Sequence, residues 1–319
     1  MLERDFVYTK RYHVMKKYRL HVPVLLISYN RPDCVRKVLA ILHKVRPKKL
    51  YVACDGWKNN DDMKRCEEVR SLVLAPSWKC RIYTLFQNNN LGSRDAPYKA
   101  ITWFFHKEKM GIIMEDDVVP DPSFFRYCEE LLRRYESDTT VGCISGSNMI
   151  ASDCSVPHSY YFSRYSQTWG WATWRRAWRK YDISIQDWPL MKKKRLLDTL
   201  FHNMWTRIYW KMIFDSVYTG TIQSAWDYQW TYTMWKNNLY TIMPKINMIR
   251  NIGFGVTNAT HTRFSNWMST ISSGSTAFPL IHPVRKELQS ALDELLQKRM
   301  YILWKEITMQ IYRKWKTFI

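Results

Sequence analysis

Residues 111–125 read GIIMEDDVVPDPSFF. A short apolar run passes directly into three carboxylates, Glu115, Asp116 and Asp117, and then into Pro120, Pro122 and two phenylalanines. Adjacent carboxylates repel one another. They persist where they face water or where a cation lies between them. A short apolar run bounded by turn formers is the pattern of a buried strand. The acidic triplet is therefore expected at the carboxyl end of a strand.

Three similar units precede it. VPVLLISYN, residues 22–30, reads as a buried strand broken by Asn30-Arg31-Pro32-Asp33. A helix follows with Val35, Val38, Leu39 and Leu42 on one face, and Asp33 is its expected N-cap. LYVACDGW, residues 50–57, is a second strand ending in Asp55-Gly56, with a helix expected from Asp61 to Leu74. RIYTLF, residues 81–86, is a third strand; it leads into the loop QNNNLG and a helix through Ala100, Trp103 and Phe104. This alternation predicts an α/β chain: a mostly parallel, doubly wound, Rossmann-like sheet with helices on both faces. Ligands of such sheets bind outside the carboxyl ends of the strands. Asn30-Arg31, Asp55, Asn90 and Glu115-Asp116-Asp117 all fall there, so four loops are expected to converge on one rim.

The net charge of +21 favours a polyanionic partner. No zinc-finger spacing or RNA-recognition signature accompanies it, so no specific nucleic acid is expected. The seven cysteines lie in the first half without a Cys-x-x-Cys pair, which suits reduced thiols. The N-terminus is charged and shows no signal peptide, and no apolar run reaches the roughly 18 residues of a membrane span. The expected location is cytoplasmic, with contact to the inner membrane face from the surface alone. There is no Gly-x-x-x-x-Gly-Lys-Ser/Thr loop, and Gly253-Phe254-Gly255 comes too late for a first-strand cradle. A nucleotide held without glycines needs side chains and a divalent ion, Mn2+ or Mg2+, on one or two carboxylates.

The second half is rich in Trp and Tyr, including YYFSRYSQTWGWATWRRAW at 160–178. Trp169, Trp171 and Trp174 suit either the core or a sugar or acceptor pocket, since indole faces pack well on sugar C–H surfaces. The expected organisation is an arm at 1–20, a catalytic domain at 21–265 with halves at 21–150 and 151–265, and a C-terminal part at 266–319. That last part comprises a Ser-rich linker, 269–276, and a basic amphipathic helix, 283–319. Trp304, Ile307, Ile311 and Trp315 form its apolar stripe, which suits packing on the domain or an anionic leaflet.

In order along the chain stand SYNR, ACDG, NNNLG, EDD, WGWATW, AWDYQW and PKINMIRNIGFG. This series resembles bacterial sugar transferases of the GT-A fold, similar to the eukaryotic N-acetylglucosaminyltransferase that starts complex N-glycans, over roughly residues 20–265. The resemblance implies inverting transfer from a nucleoside diphosphate sugar, UDP-linked sugars favoured, to a glycan or lipid-linked glycan. It implies that Asn30, Arg31 and Asp55 grip the nucleotide, Asp55 on the base, and that Glu115 faces the sugar and Asp116 the ribose. Asp117 is the implied metal ligand. Arg94 stands at a nucleotide-contact position where the eukaryotic relative has histidine. Asp227 matches the catalytic base, while the residues alone equally allow it to cap a helix starting at Tyr228. His261 is a surface residue or a metal or phosphate contact. Two rivals remain: a non-catalytic basic protein binding an anionic glycan or nucleic acid, and a sugar nucleotidyltransferase, which normally has glycines where this chain has Ser28-Tyr29-Asn30-Arg31.

Overall fold

A computed structural model of the chain describes residues 18–254 and 266–308. The first half alternates as the sequence predicts: β1 (Val24–Ser28), α1 (Pro32–Val45), β2 (Lys49–Cys54), α2 (Asn60–Leu74), β3 (Arg81–Phe86), α3 (Gly92–Lys107) and β4 (Met110–Glu115). There follow β5 (Val118–Pro120), α4 (Ser123–Arg134), β6 (Val141–Ser145), β7 (Tyr160–Ser163), β8 (Trp171–Trp174) and α5 (Arg175–Trp178). Helices α6 (Trp188–Lys193), α7 (Leu196–Leu200), α8 (Met204–Tyr218) and α9 (Asp227–Lys236) lead to β9 (Tyr240–Pro244) and β10 (Ile249–Asn251). The described chain ends with α10 (Asn266–Ser269), α11 (Ser290–Met300) and a helical turn at 303–308.

The main sheet runs β3-β2-β1-β4-β8-β6-β9-β7. Strands β3, β2, β1 and β4 are mutually parallel. β8 enters antiparallel between β4 and β6, β9 is parallel to β6, and β7 closes the edge antiparallel to β9. The chain leaves β1 towards β3 and then returns to place β4 on the other side of β1. That reversal is a topological switch point, where neighbouring loops diverge and leave a crevice at the carboxyl edge.

Alternate residues of β1 face opposite sides of the sheet, as a strand's period of two requires. Val24 and Leu26 join Val35, Val38, Leu42 and Phe124 in one core; Leu25 and Ile27 join Ala100, Phe104 and Trp171 in the other. Burial on both faces explains why β1 is apolar throughout rather than alternating.

Several expectations are amended. Asp33 does not cap α1: the helix already includes it, Arg31 is at the cap, and the Asp33 carboxylate pairs with Arg36 at 2.8 Å. Strands from both sides of residue 150 share one sheet, since β8 hydrogen-bonds to both β4 and β6. The Ser-rich 269–276 stretch is stitched down rather than free. Gly274 N–H donates to Asn247 O at 2.8 Å, Ser275 Oγ to Asp121 at 2.8 Å, and Thr276 N–H to Ser123 Oγ at 3.0 Å. The C-terminal helix starts at Ser290, not 283, and breaks at Tyr301. It is locked to the end of β7 by buried Asp293, which accepts from Ser163 Oγ at 2.5 Å and Arg164 N–H at 3.0 Å. Ile311 and Trp315 lie outside the described residues, as does most of the 1–20 arm; Leu20 at its end is fully buried. No helix among the described residues is long and apolar enough to cross a membrane.

Candidate functional site

The switch-point crevice lies between the ends of β1 and β4. From β1 the chain passes through Tyr29 and Asn30 to Arg31; from β4 it passes through Glu115 to Asp116 and Asp117. The two loops are joined by charge. Arg31 Nη1 donates to Asp117 Oδ2 at 2.9 Å, and Nη2 donates to Asp116 Oδ1. Tyr29 N–H donates to the other Asp116 oxygen at 3.1 Å. Asp116 is therefore buried and held through both oxygens, while Arg31 holds Asp117 through Oδ2.

The electrostatics follow from burial. Burial pushes the Glu115 carboxyl well above the carboxylate range, and the charges of Asp117, Asp116 and Asp227 push the same way, against Arg31. Asp116 is also raised, by burial first and Asp117 further, with Arg31 opposing. Burial acts against the Arg31 charge, but Asp116 and Asp117 outweigh it and hold the guanidinium protonated. The rim thus stores carboxylate repulsion that one arginine relieves.

Asp117 has a second neighbour. The antiparallel pair β5–β10 brings Gly253 beside it, and Ile252 N–H donates to Asp117 O at 2.8 Å. A Cβ at Gly253 would overlap Asp117 Oδ2, so glycine is what allows the backbone this close. Trp169 is half-buried and meets Phe254, next to Gly253, edge-on, centroids 5.7 Å apart.

Asp55 follows β2. Its two oxygens accept from Gly56 and Leu91 N–H at 2.9 Å and from Asn90 Nδ2 and Gly92 N–H at 3.0 Å. The carboxylate thus fixes the 88–92 loop and sits on the first amides of α3, where a helix favours negative charge. Burial still raises its pKa against those hydrogen bonds. Asn90, a rim residue by the sequence reading, is spent on this anchor. Arg94 lies one turn further and pairs with Asp95 at 3.0 Å.

Asp227 is the first residue of α9, not a cap before Tyr228. It is exposed, and its Oδ1 accepts from Tyr228 N–H at 3.1 Å. Ser93 Oγ donates to Ser224 O at 2.8 Å, tying the start of α3 to the segment before α9. Asp227 thus stands near enough to the acidic rim to raise Glu115.

Two tryptophans leave the pocket reading. Trp171 is 1% exposed and packs on Trp226 and Trp230; Trp174 is 2% exposed, donates to Leu132 O at 3.1 Å and lies under Arg176. Both are core because β8 is a central strand. Trp169 keeps an exposed part. His261 lies outside the described residues.

The sequence reading missed Asp62. This buried carboxylate accepts from Tyr29 OH, from Asn30 Nδ2 and from Lys58 N–H, the last at 3.2 Å. Asn30 therefore holds the β1–α1 turn in place through Asp62. In sequence, Asp61 and Asp62 look like ordinary first-turn acids of a helix capped by Asn59, and nothing there signals the long-range bonds.

Three adjacent carboxylates are hard oxygen donors, the kind that Mg2+ and Mn2+ take. Among the described residues no group of three or more His, Cys, Asp or Glu is arranged to enclose an ion. The donor set fits an ion that takes one or two carboxylates and completes its shell from phosphate and water.

No family model matches the sequence, and no curated protein matches it. Among solved structures the chain is similar to HddC from Yersinia pseudotuberculosis, with 10% identity, TM-score 0.30, and coverage of 50% of this chain and 80% of that one. It is also similar to the inositol-1-phosphate CTP transferase from T. maritima, with 8% identity, TM-score 0.29, and coverage of 51% and 74%. Likeness at this level carries no argument about activity. The class defined by the fold itself is a mixed α/β protein with a large, mostly parallel sheet and a crevice at its switch point.

Proposed function

We propose that the chain is a metal-dependent glycosyltransferase, moving a sugar from a nucleoside diphosphate to an acceptor hydroxyl with inversion. The observation that carries this reading is the pairing of Arg31 with Asp116 and Asp117 at the switch point, with exposed Asp227 close by. Asp117, with Glu115 beside it, would hold the divalent ion. When bound, that ion neutralises charge on a departing diphosphate. Arg31 supplies a fixed positive charge at the same place. Asp55 and Asn90 order the loop against which the nucleoside would lie. Asp227 accepts the proton of the acceptor hydroxyl as its oxygen attacks. Trp169 offers an aromatic face for the sugar or acceptor.

Nucleotidyl transfer, the enzymatic rival that the sequence left open, is the second reading. The β1–α1 turn speaks against it. Pro32 removes an amide from the first turn of α1 and Asp33 adds negative charge there, so that helix start is a poor phosphate cradle. The test supplies a panel of UDP- and GDP-sugars with Mn2+ and, separately, nucleoside triphosphates with sugar 1-phosphates. Release of nucleoside diphosphate supports glycosyl transfer. Release of pyrophosphate from the second mixture overturns it.

A further inference from the structure

Helices α6, α7 and α8 pack on one another and present an outer face to solvent. Leu190, Met204 and Trp205 are exposed there, Trp205 at 57%. A large indole left in water on an otherwise aromatic-rich, well-packed chain calls for a partner. Around these residues run Lys192-Lys193-Lys194-Arg195, all exposed, with Arg207 and Lys211. A groove of about 380 Å³ between α6, α7 and the start of α8 brings Met204 together with Lys192, Arg195, Arg207 and Lys211; Trp205 follows Met204, and Lys193 and Lys194 lie between Lys192 and Arg195 in the chain.

The charge on this face is not internally balanced. Asp198 pairs with Arg195 and Arg207, and Asp215 with Lys192 and Lys211. Each carboxylate already serves two cations. Lys193 and Lys194 have no carboxylate partner among the described residues. Surplus positive charge beside Trp, Met and Leu matches a surface that is negative at its headgroups and apolar just beneath.

We infer that this face of α6–α8 docks the protein on an anionic lipid bilayer, with Trp205, Met204 and Leu190 entering the interface and Lys193 and Lys194 meeting the headgroups. The inference uses none of residues 309–319 and does not depend on the catalytic reading. A protein that binds membrane and transfers nothing would leave this inference standing.

The experiment is co-sedimentation of the full chain with vesicles of phosphatidylcholine alone and of phosphatidylcholine mixed with phosphatidylglycerol. Binding is expected with the anionic vesicles and lost at about 1 M salt, where the Debye length falls to about 3 Å. Lys193→Ala with Lys194→Ala should weaken partitioning about thirty-fold. Trp205→Ser should weaken it about ten-fold. Because all three positions are exposed, unchanged melting temperatures show that the variants are folded. Equal binding to both vesicle types, or anionic binding that survives the variants, overturns the inference. So does a wild-type dimer that Trp205→Ser converts to monomer, which makes the face a self-interface. Retention on heparin or DNA without vesicle binding overturns it as well.

Discussion

Arg31 and Asp117 form an ion pair of 2.9 Å across the crevice between β1 and β4, and the same guanidinium holds Asp116. Two buried carboxylates thus depend on one cation. Arg31→Ala leaves them uncompensated, and the loss of stability is expected to be on the order of 3–5 kcal/mol by urea unfolding. Arg31→Lys should recover part of it, because a single ammonium cannot reproduce the fork. Mn2+ without nucleotide should raise the melting temperature of Arg31→Ala more than that of wild type, since the ion replaces the missing charge. An equal response in the two proteins counts against a cation site at this rim.

Gly253→Ala is a sharper probe of Asp117. The added methyl would press on the carboxylate oxygen from the β5–β10 side while the main sheet is untouched. The fold should persist, with a circular-dichroism spectrum like that of wild type. The thermal shift produced by Mn2+ and UDP together should disappear. Retention of that shift would show that the Asp117 position is not used by ligand.

Asp62→Asn tests the hidden strut of the crevice. The substituted amide turns a donor towards Tyr29 OH, Asn30 Nδ2 or Lys58 N–H, all of which already donate. A cost of about 1–3 kcal/mol is expected from the unmet donors. Because Arg31 follows directly after Asn30, nucleotide affinity should fall as well. A variant with wild-type stability would make Asp62 incidental to the turn.

What the sequence disclosed and what it hid have a common physical origin. The units ending at Ser28, Cys54, Phe86 and Glu115 were legible because buried parallel strands are written as short apolar runs closed by turn residues. The carboxylates at the rim were legible for the same reason: they interrupt such runs. β8 was not, because WATW between Gly170 and Arg175 has no strand period, and its place depends on hydrogen bonds to β4 and β6, distant in sequence. The sequence therefore left Trp171 and Trp174 open between core and pocket, and both are central core. Asp62 and Asp293 share that difficulty. Each sits in a helical first turn, where acids are ordinary, and each is tied to a strand or loop that periodicity cannot reach.

Asp227→Asn separates the proposed base from a donor ligand. Asp227 is exposed and accepts from the adjacent Tyr228 N–H at 3.1 Å, so the fold should tolerate the change. Donor binding, read by the nucleotide thermal shift, should match wild type. Sugar transfer should fall by a factor on the order of 10²–10⁴, the usual contribution of a positioned general base. Transfer within a few-fold of wild type would remove Asp227 from that role.

Asp293 supplies a pH test remote from the crevice. It is 6% exposed, and burial pushes its carboxyl from 3.8 up to about 6, against hydrogen bonds from Ser163 and Arg164. Between those values the folded chain holds a proton that the unfolded chain has shed. The group's contribution to stability therefore falls as pH rises through about 4 to 6, and it is least favourable above that window. Asparagine can donate to Ser163 Oγ and accept from Arg164 N–H without carrying a charge. Asp293→Asn should therefore gain on wild type as pH rises from 4 to 7, by up to about 3 kcal/mol. Urea unfolding of both proteins across that range isolates this group, because every other titrating residue is common to the pair. Parallel curves would mean that Asp293 is solvated, and that the lock between α11 and the end of β7 is looser than its two hydrogen bonds imply.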